Sequence, residues 1–178
     1  MPIIIIRHSD DETYCEKKHD CPINPQRGSY LAKKVGKKLV DKYGIPDIII
    51  LSPFRRTIET MNYMIDVKNQ NIQVIEDNKL CRYFNQREKE NPDVYKETLK
   101  KNIPIKESYN EFKERVDIFC EYMQDMNIEN KTIWVITHAL VYKKISKFFH
   151  KKTSSHINFM ENFTLSGEFC KKCGFSHV

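Results

Sequence analysis

The chain has 178 residues, 40% hydrophobic and 11% aromatic with only 5 Gly and 7 Pro, which suits one buried core and excludes collagen-like, low-complexity and broadly disordered chains. Lys and Arg number 30 against 24 Asp and Glu, a formal charge of +6, but 23 of the 30 are Lys scattered among Ile and Asn, so charge alone names no partner. The longest aliphatic runs, Ile3 to Ile6 and Ile48 to Leu51, fall far short of the roughly 18 apolar residues of a membrane helix, and Arg7, His8 and Asp10 interrupt any secretory leader, so a cytoplasmic protein with no membrane partner is expected.

In chain order, Ile3 to Ile6 is continuously β-branched and predicts a strand buried on both faces. Pro25 to Lys42 predicts a helix with Asn24 as N-cap and Leu31, Val35, Leu39 and Val40 along its apolar face, stopped by Gly44. Lys33, Lys34, Lys37 and Lys38 cluster on it, but no aromatic residues interleave with them for base stacking; they read as a solvated face, and no nucleic-acid partner is expected. Asp47 to Leu51 is a second buried strand, and Ser52-Pro53 reads as the cap and first turn of a helix reaching about Ile65. Ile72 to Ile75 is a third strand. The polar stretch 77–106 reads as an insertion over a site.

Phe112, Val116, Phe119, Cys120 and Met123 recur at helical spacing, so a helix runs from Glu107 to about Met126. Lys131 to Thr137 is a further buried strand, leading into a helix from Leu140 to about Phe149. This alternation predicts a three-layer α/β/α sandwich with a mostly parallel central sheet. Residues 1–178 read as one domain, with the insertion at 77–106 and a Cys-containing tail at 166–178.

In open parallel sheets, ligands bind outside the carboxyl ends of the strands. Three predicted strands end in Arg7-His8, in Ser52 to Arg56 and in Thr137-His138, so two histidines and at least two arginines are expected to converge. Arginine forks match a phosphoryl group bidentately and neutralise its charge. A neutral imidazole beside them can attack phosphorus. The site reads as phosphoryl transfer.

Four segments together resemble the histidine phosphatase superfamily, also called phosphoglycerate mutase-like: Ile5-Ile6-Arg7-His8-Ser9; Leu51-Ser52-Pro53-Phe54-Arg55-Arg56-Thr57-Ile58-Glu59-Thr60; Glu107-Ser108-Tyr109 through Phe112 to Arg115-Val116; and Val135-Ile136-Thr137-His138-Ala139. The stretch from Asp20 to Leu39 loosely resembles the family's first helix entrance. The resemblance implies a phosphoglycerate mutase-like fold and a phosphatase in which His8 becomes phosphohistidine. Arg7 and Arg56 would bind the phosphoryl oxygens and His138 would donate to them. The spacing Ser-Pro-x-x-Arg selects Arg56 over Arg55, which is expected to meet solvent or Glu59. The substrate would be a phosphorylated small molecule or a phosphoprotein, with no cofactor and no catalytic metal.

Two positions depart from the family pattern. Ser9 replaces a glycine, which makes the backbone there less tight or adds a hydroxyl to the pocket. Arg82, in Leu80-Cys81-Arg82, stands where many members carry the glutamate that protonates the leaving oxygen. Three readings stay open: Glu88 or Glu90 takes that role; the substrate has a good leaving group, as for a protein phosphohistidine phosphatase; or the domain binds a phosphorylated ligand without hydrolysing it. In the last, Arg82 is a third phosphate contact. An active phosphatase ranks first because the nucleophile and its arginines are intact.

Cys170-Lys171-Lys172-Cys173 with His177, and Cys15, His19 and Cys21, have spacings that invite a structural zinc, although five residues separate the second cysteine pair. Reduced thiols are the favoured expectation, and disulfides the least favoured.

Overall fold

Runs of β-branched aliphatic residues set the sheet. In a computed structural model that describes residues 2–12, 20–126, 130–165, 168–169 and 176–177, the elements are β1 (Ile3–Arg7), α1 (Arg27–Tyr43), β2 (Ile48–Leu51), α2 (Arg55–Met64), β3 (Gln73–Glu76), α3 (Gln86–Lys89), α4 (Pro92–Lys100), α5 (Tyr109–Asp125), β4 (Ile133–Thr137), α6 (Ala139–Phe148), β5 (Asn162–Leu165), β6 (Glu168–Phe169) and β7 (Ser176–His177). The main sheet has the order β3-β2-β4-β1-β5. β1, β2, β3 and β4 run parallel, and β5 is antiparallel to β1. β6 and β7 form a separate antiparallel ribbon. No described helix is long and apolar enough to cross a membrane.

Side chains alternate across a strand, so each aliphatic run feeds two cores. Ile3, Ile5, Ile48, Ile50, Ile133 and Val135 pack with Phe112, Val116, Phe119 and Met123 of α5 and Val141, Tyr142 and Ile145 of α6. Ile4, Ile6, Ile49, Leu51, Trp134 and Ile136 pack with Ala32 and Leu39 of α1 and Met61 and Met64 of α2. All four isoleucines of β1 are fully buried; each contributes roughly 1.5 to 3 kcal/mol of hydrophobic stabilisation. The result is the expected sandwich of helices on both faces of a mostly parallel sheet.

The helix boundaries correct the sequence reading in two places. α1 begins at Arg27 instead of Pro25, because the Asn24 carboxamide oxygen accepts from the backbone N–H of Gln26 at 3.0 Å and Arg27 at 2.8 Å and holds a turn ahead of the helix. Its buried line is Gly28, Ala32, Gly36 and Leu39, while Leu31, Val35 and Val40 only flank the core. A Cβ on Gly36 would lie 2.3 Å from the Met64 carbonyl oxygen, so the small residues allow α1 to approach the end of α2 closely. At α2, Ser52 is not the cap: the N-cap is Phe54, without a side-chain bond. Ser52 serves the site instead.

The insertion read from 77–106 contains a 3-10 turn (Asn78–Leu80), α3 and α4. Asn85 and Glu88 form a capping box on α3, and Asn91 caps α4 ahead of Pro92. Phe54, Cys81, Phe84, Val94, Ile103 and Ile105 make a small core beneath these helices. α5 starts at Tyr109 because Ser108 caps it reciprocally with Glu111.

Candidate active site

The strand order positions the site. β4 lies between β1 and β2, with Arg7 opposite Thr137 and Leu51 opposite Ile136. The residues that follow, His8, His138 and Ser52, therefore leave the sheet side by side. The His8 backbone N–H donates to the Thr137 carbonyl at 2.9 Å, and that of Ser52 to the Ile136 carbonyl at 3.2 Å. The two imidazoles meet edge to face with centroids 5.3 Å apart, and both are buried.

Their tautomers follow from their partners. His8 Nδ1 lies 2.8 Å from the Ser9 carbonyl oxygen, which can only accept; Nδ1 therefore carries the proton and Nε2 the lone pair. Burial, followed by the charge of Arg56, holds the His8 pKa well below the ordinary histidine value. Burial and Arg56 do the same to His138. Arg56 Nε donates to His138 Nδ1 at 3.3 Å, so the proton of neutral His138 sits on Nε2, 2.9 Å from Ser52 Oγ.

Three guanidinium groups surround the rings. Arg56, on the first turn of α2, lies over the Phe54 ring, and burial, then Arg82, lowers its pKa to about 10. Arg7 lies over Phe159 at 4.1 Å and donates to the Ile157 carbonyl. Arg82 lies over Phe84 and pairs with Glu88. The Nε atoms of Arg7 and Arg82 are buried without hydrogen-bond partners among the described residues. Arg7, His8, Asp11, Arg56, Arg82, Tyr83, His138, Ala139 and Leu140 line one cavity of about 230 Å³.

Arg115 explains how Arg82 reaches it. Held by Glu107, the Arg115 guanidinium donates to the carbonyls of Asn78, Lys79 and Cys81 and so clamps the turn that precedes Arg82. Thr137 Oγ1 adds a bond to the Leu80 carbonyl at 2.9 Å.

The family model described as histidine phosphatase superfamily (branch 1) matches residues 3–166. The chain belongs to the histidine phosphatase superfamily. No curated relative matches it. Its fold resembles that of the protein histidine phosphatase SixA complexed with tungstate, at 14% identity, TM-score 0.67, covering 98% of this chain and 92% of that one. It also resembles the ecdysone phosphate phosphatase of Bombix mori in complex with tungstate, at 13% identity, TM-score 0.69, covering 93% and 89%. The phosphoglycerate mutase of Bacillus anthracis str. Sterne is similar at 16% identity, TM-score 0.65, covering 92% and 86%.

In this member of the superfamily the structure brings Arg7, His8, Arg56, Arg82 and His138 together and leaves one expected contact out. Ser9 does not enter the cavity. Its hydroxyl donates to the Gly28 carbonyl at 2.7 Å and its N–H to Thr60 Oγ1 at 3.0 Å, so it ties the loop after β1 to α1 and α2. Arg55 pairs with Glu59 at 2.7 Å, away from the rings. Of the two carboxylates considered as acids, Glu88 is engaged by Arg82 and by the Asn85 N–H, and Glu90 accepts from Gln86. Sequence reasoning missed Asp11, Tyr83 and Phe159. Only the nearness of Asp11 to His8 in the chain pointed to any of them.

The zinc reading falls mostly outside the described residues, which exclude Cys15, His19, Cys170 and Cys173. Cys21 is disulfide-bonded, against the expectation of reduced thiols. Cys81 and Cys120 are free and buried. No group of three metal-binding side chains occurs among the described residues.

Proposed function

We propose that this protein is a phosphatase that hydrolyses a phosphorylated small molecule or phosphoprotein through a phosphohistidine on His8. The observation that carries this reading is the free lone pair of a buried, neutral His8 Nε2 in a cavity it shares with three guanidinium groups. Arg7 and Arg56 would take the phosphoryl oxygens, and Arg82 would add a third contact. The Nε2 lone pair attacks phosphorus, the bond to the leaving atom breaks, and water then attacks phosphohistidine and returns the electron pair to Nε2. Two structural neighbours were solved in complex with tungstate, an oxyanion of phosphate-like shape, which supports an oxyanion as a ligand of this fold.

Ser52 gives His138 a part to play. A hydroxyl can accept or donate, so Ser52 can accept a hydrogen bond from Nε2–H in the unliganded state, and donate to Nε2 once Arg56 turns from Nδ1 to a phosphoryl oxygen and the His138 proton moves to Nδ1 to face another. His138 then stabilises the charge of the transition state without moving its ring. The unit is read as residues 1–178, with the insertion at 77–106 shaping specificity.

Turnover of p-nitrophenyl phosphate tests the reading. Wild-type protein is expected to release p-nitrophenol and His8→Ala to fall to background. His8→Ala turning over at the wild-type rate would overturn the mechanism, and a wild type that binds phosphate without turnover would make the protein a phospholigand-binding module.

A further inference from the structure

The reaction needs a proton at the leaving group, and among the described residues no carboxylate of the stretch 77–106 lines the cavity. Both oxygens of Glu88 are committed, one to Arg82 and one to the Asn85 N–H. Glu90 does not line the cavity, and Asp10 faces Arg27 at 3.3 Å. Asp11 is different. Among the described residues it is the only carboxylate lining the cavity that holds His8, Arg56 and His138. Its Oδ2 lies 3.9 Å from Arg56 Nε, and its side chain is 30% exposed, so it borders both the arginines and solvent.

Asp11 is also held in place. Its backbone bridges antiparallel to Ile23, and the Ile23 N–H donates to Glu59 on α2 at 2.8 Å. The helix that delivers Arg56 thus fixes the segment that delivers Asp11.

Building on the phosphatase reading above, we propose that Asp11 is the proton carrier of the reaction. In the first step His8 Nε2 forms its bond to phosphorus while the bond from phosphorus to the leaving oxygen breaks. The electron pair stays on that oxygen, which takes the proton of the Asp11 carboxyl. In the second step water adds its oxygen to phosphorus and gives one proton to the Asp11 carboxylate. The bond from phosphorus to Nε2 breaks and its pair returns to the ring. Phosphate leaves, and His8 and protonated Asp11 are restored. The role in each step is that of a general acid and then a general base.

The experiment compares kcat/KM of wild type, Asp11→Asn and Asp11→Glu on p-nitrophenyl phosphate and on 2-glycerol phosphate, whose alkoxide is a far poorer leaving group. In Asp11→Asn the ratio of the 2-glycerol phosphate value to the p-nitrophenyl phosphate value is expected to fall on the order of 100-fold, with partial recovery in Asp11→Glu. Both rates come from one preparation, so any misfolded fraction cancels in the ratio. An equal factor of loss on the two esters, or no loss, overturns the proposal and makes Asp11 a counter-ion of Arg56 or a bystander. A wild type that hydrolyses only the p-nitrophenyl ester overturns it as well. Absence of His8-dependent turnover on either ester instead overturns the phosphatase reading, and this proposal with it.

Discussion

His8 is constrained at one nitrogen so that the other is available. The Ser9 carbonyl fixes the proton on Nδ1, and burial beside Arg56 keeps the ring neutral. The same burial has a consequence for stability. An unfolded histidine titrates near 6.5, whereas folded His8 and His138 take up a proton only well below that value. Above about pH 6.5 both states are neutral and nothing is lost. As pH falls below it, the unfolded chain binds protons that the folded one refuses, and each histidine removes up to about 1.4 kcal/mol of stability per pH unit. Melting between pH 7.5 and 5 is therefore expected to fall more steeply for wild type than for His8→Ala. Equal slopes would show that the folded ring titrates normally. Arg7, His8, Arg56 and His138 were legible because each sits next to a strand or at a fixed interval after one. Asp11 and Tyr83 were not, because their place in the cavity depends on how loops return, which no local periodicity records.

At the scale of elements, the strands were readable from unbroken β-branched runs, and α5 from apolar residues at helical spacing. α1 shows where that signal misleads. Its large aliphatics suggested one face, but its closest packing runs through Gly28, Ala32 and Gly36, which carry little hydrophobic weight in a sequence. The contact with Met64 predicts a cost: Gly36→Ala gains helix propensity of about 1 kcal/mol, yet forces a Cβ against backbone and is expected to lose about 2 kcal/mol net through overpacking. For a chain of this size that lowers Tm by roughly 4 to 8 °C. An unchanged or raised Tm would mean that α1 and α2 do not approach as described. β5 escaped prediction for another reason. It is a four-residue edge strand, and only its partner β1 defines it.

Across the whole molecule, function rests on topology. Because β4 enters the sheet between β1 and β2, histidines separated by 130 positions in the chain become neighbours. Arg115 and Glu107 then clamp the turn that brings Arg82 over from the segment 77–106. Each device is distant in sequence and adjacent in space, and the sequence reading reached the convergence through the rule that ligands sit at the carboxyl ends of parallel strands and through the resemblance of four segments to the histidine phosphatase superfamily. The most direct test is a crystal structure of the protein soaked with tungstate. One oxyanion is expected in the cavity, with His8 Nε2 facing the metal atom in line and Arg7, Arg56 and His138 on its oxygens. An anion bound elsewhere, or one that touches His8 without Arg56 and His138, would contradict the shared phosphoryl pocket.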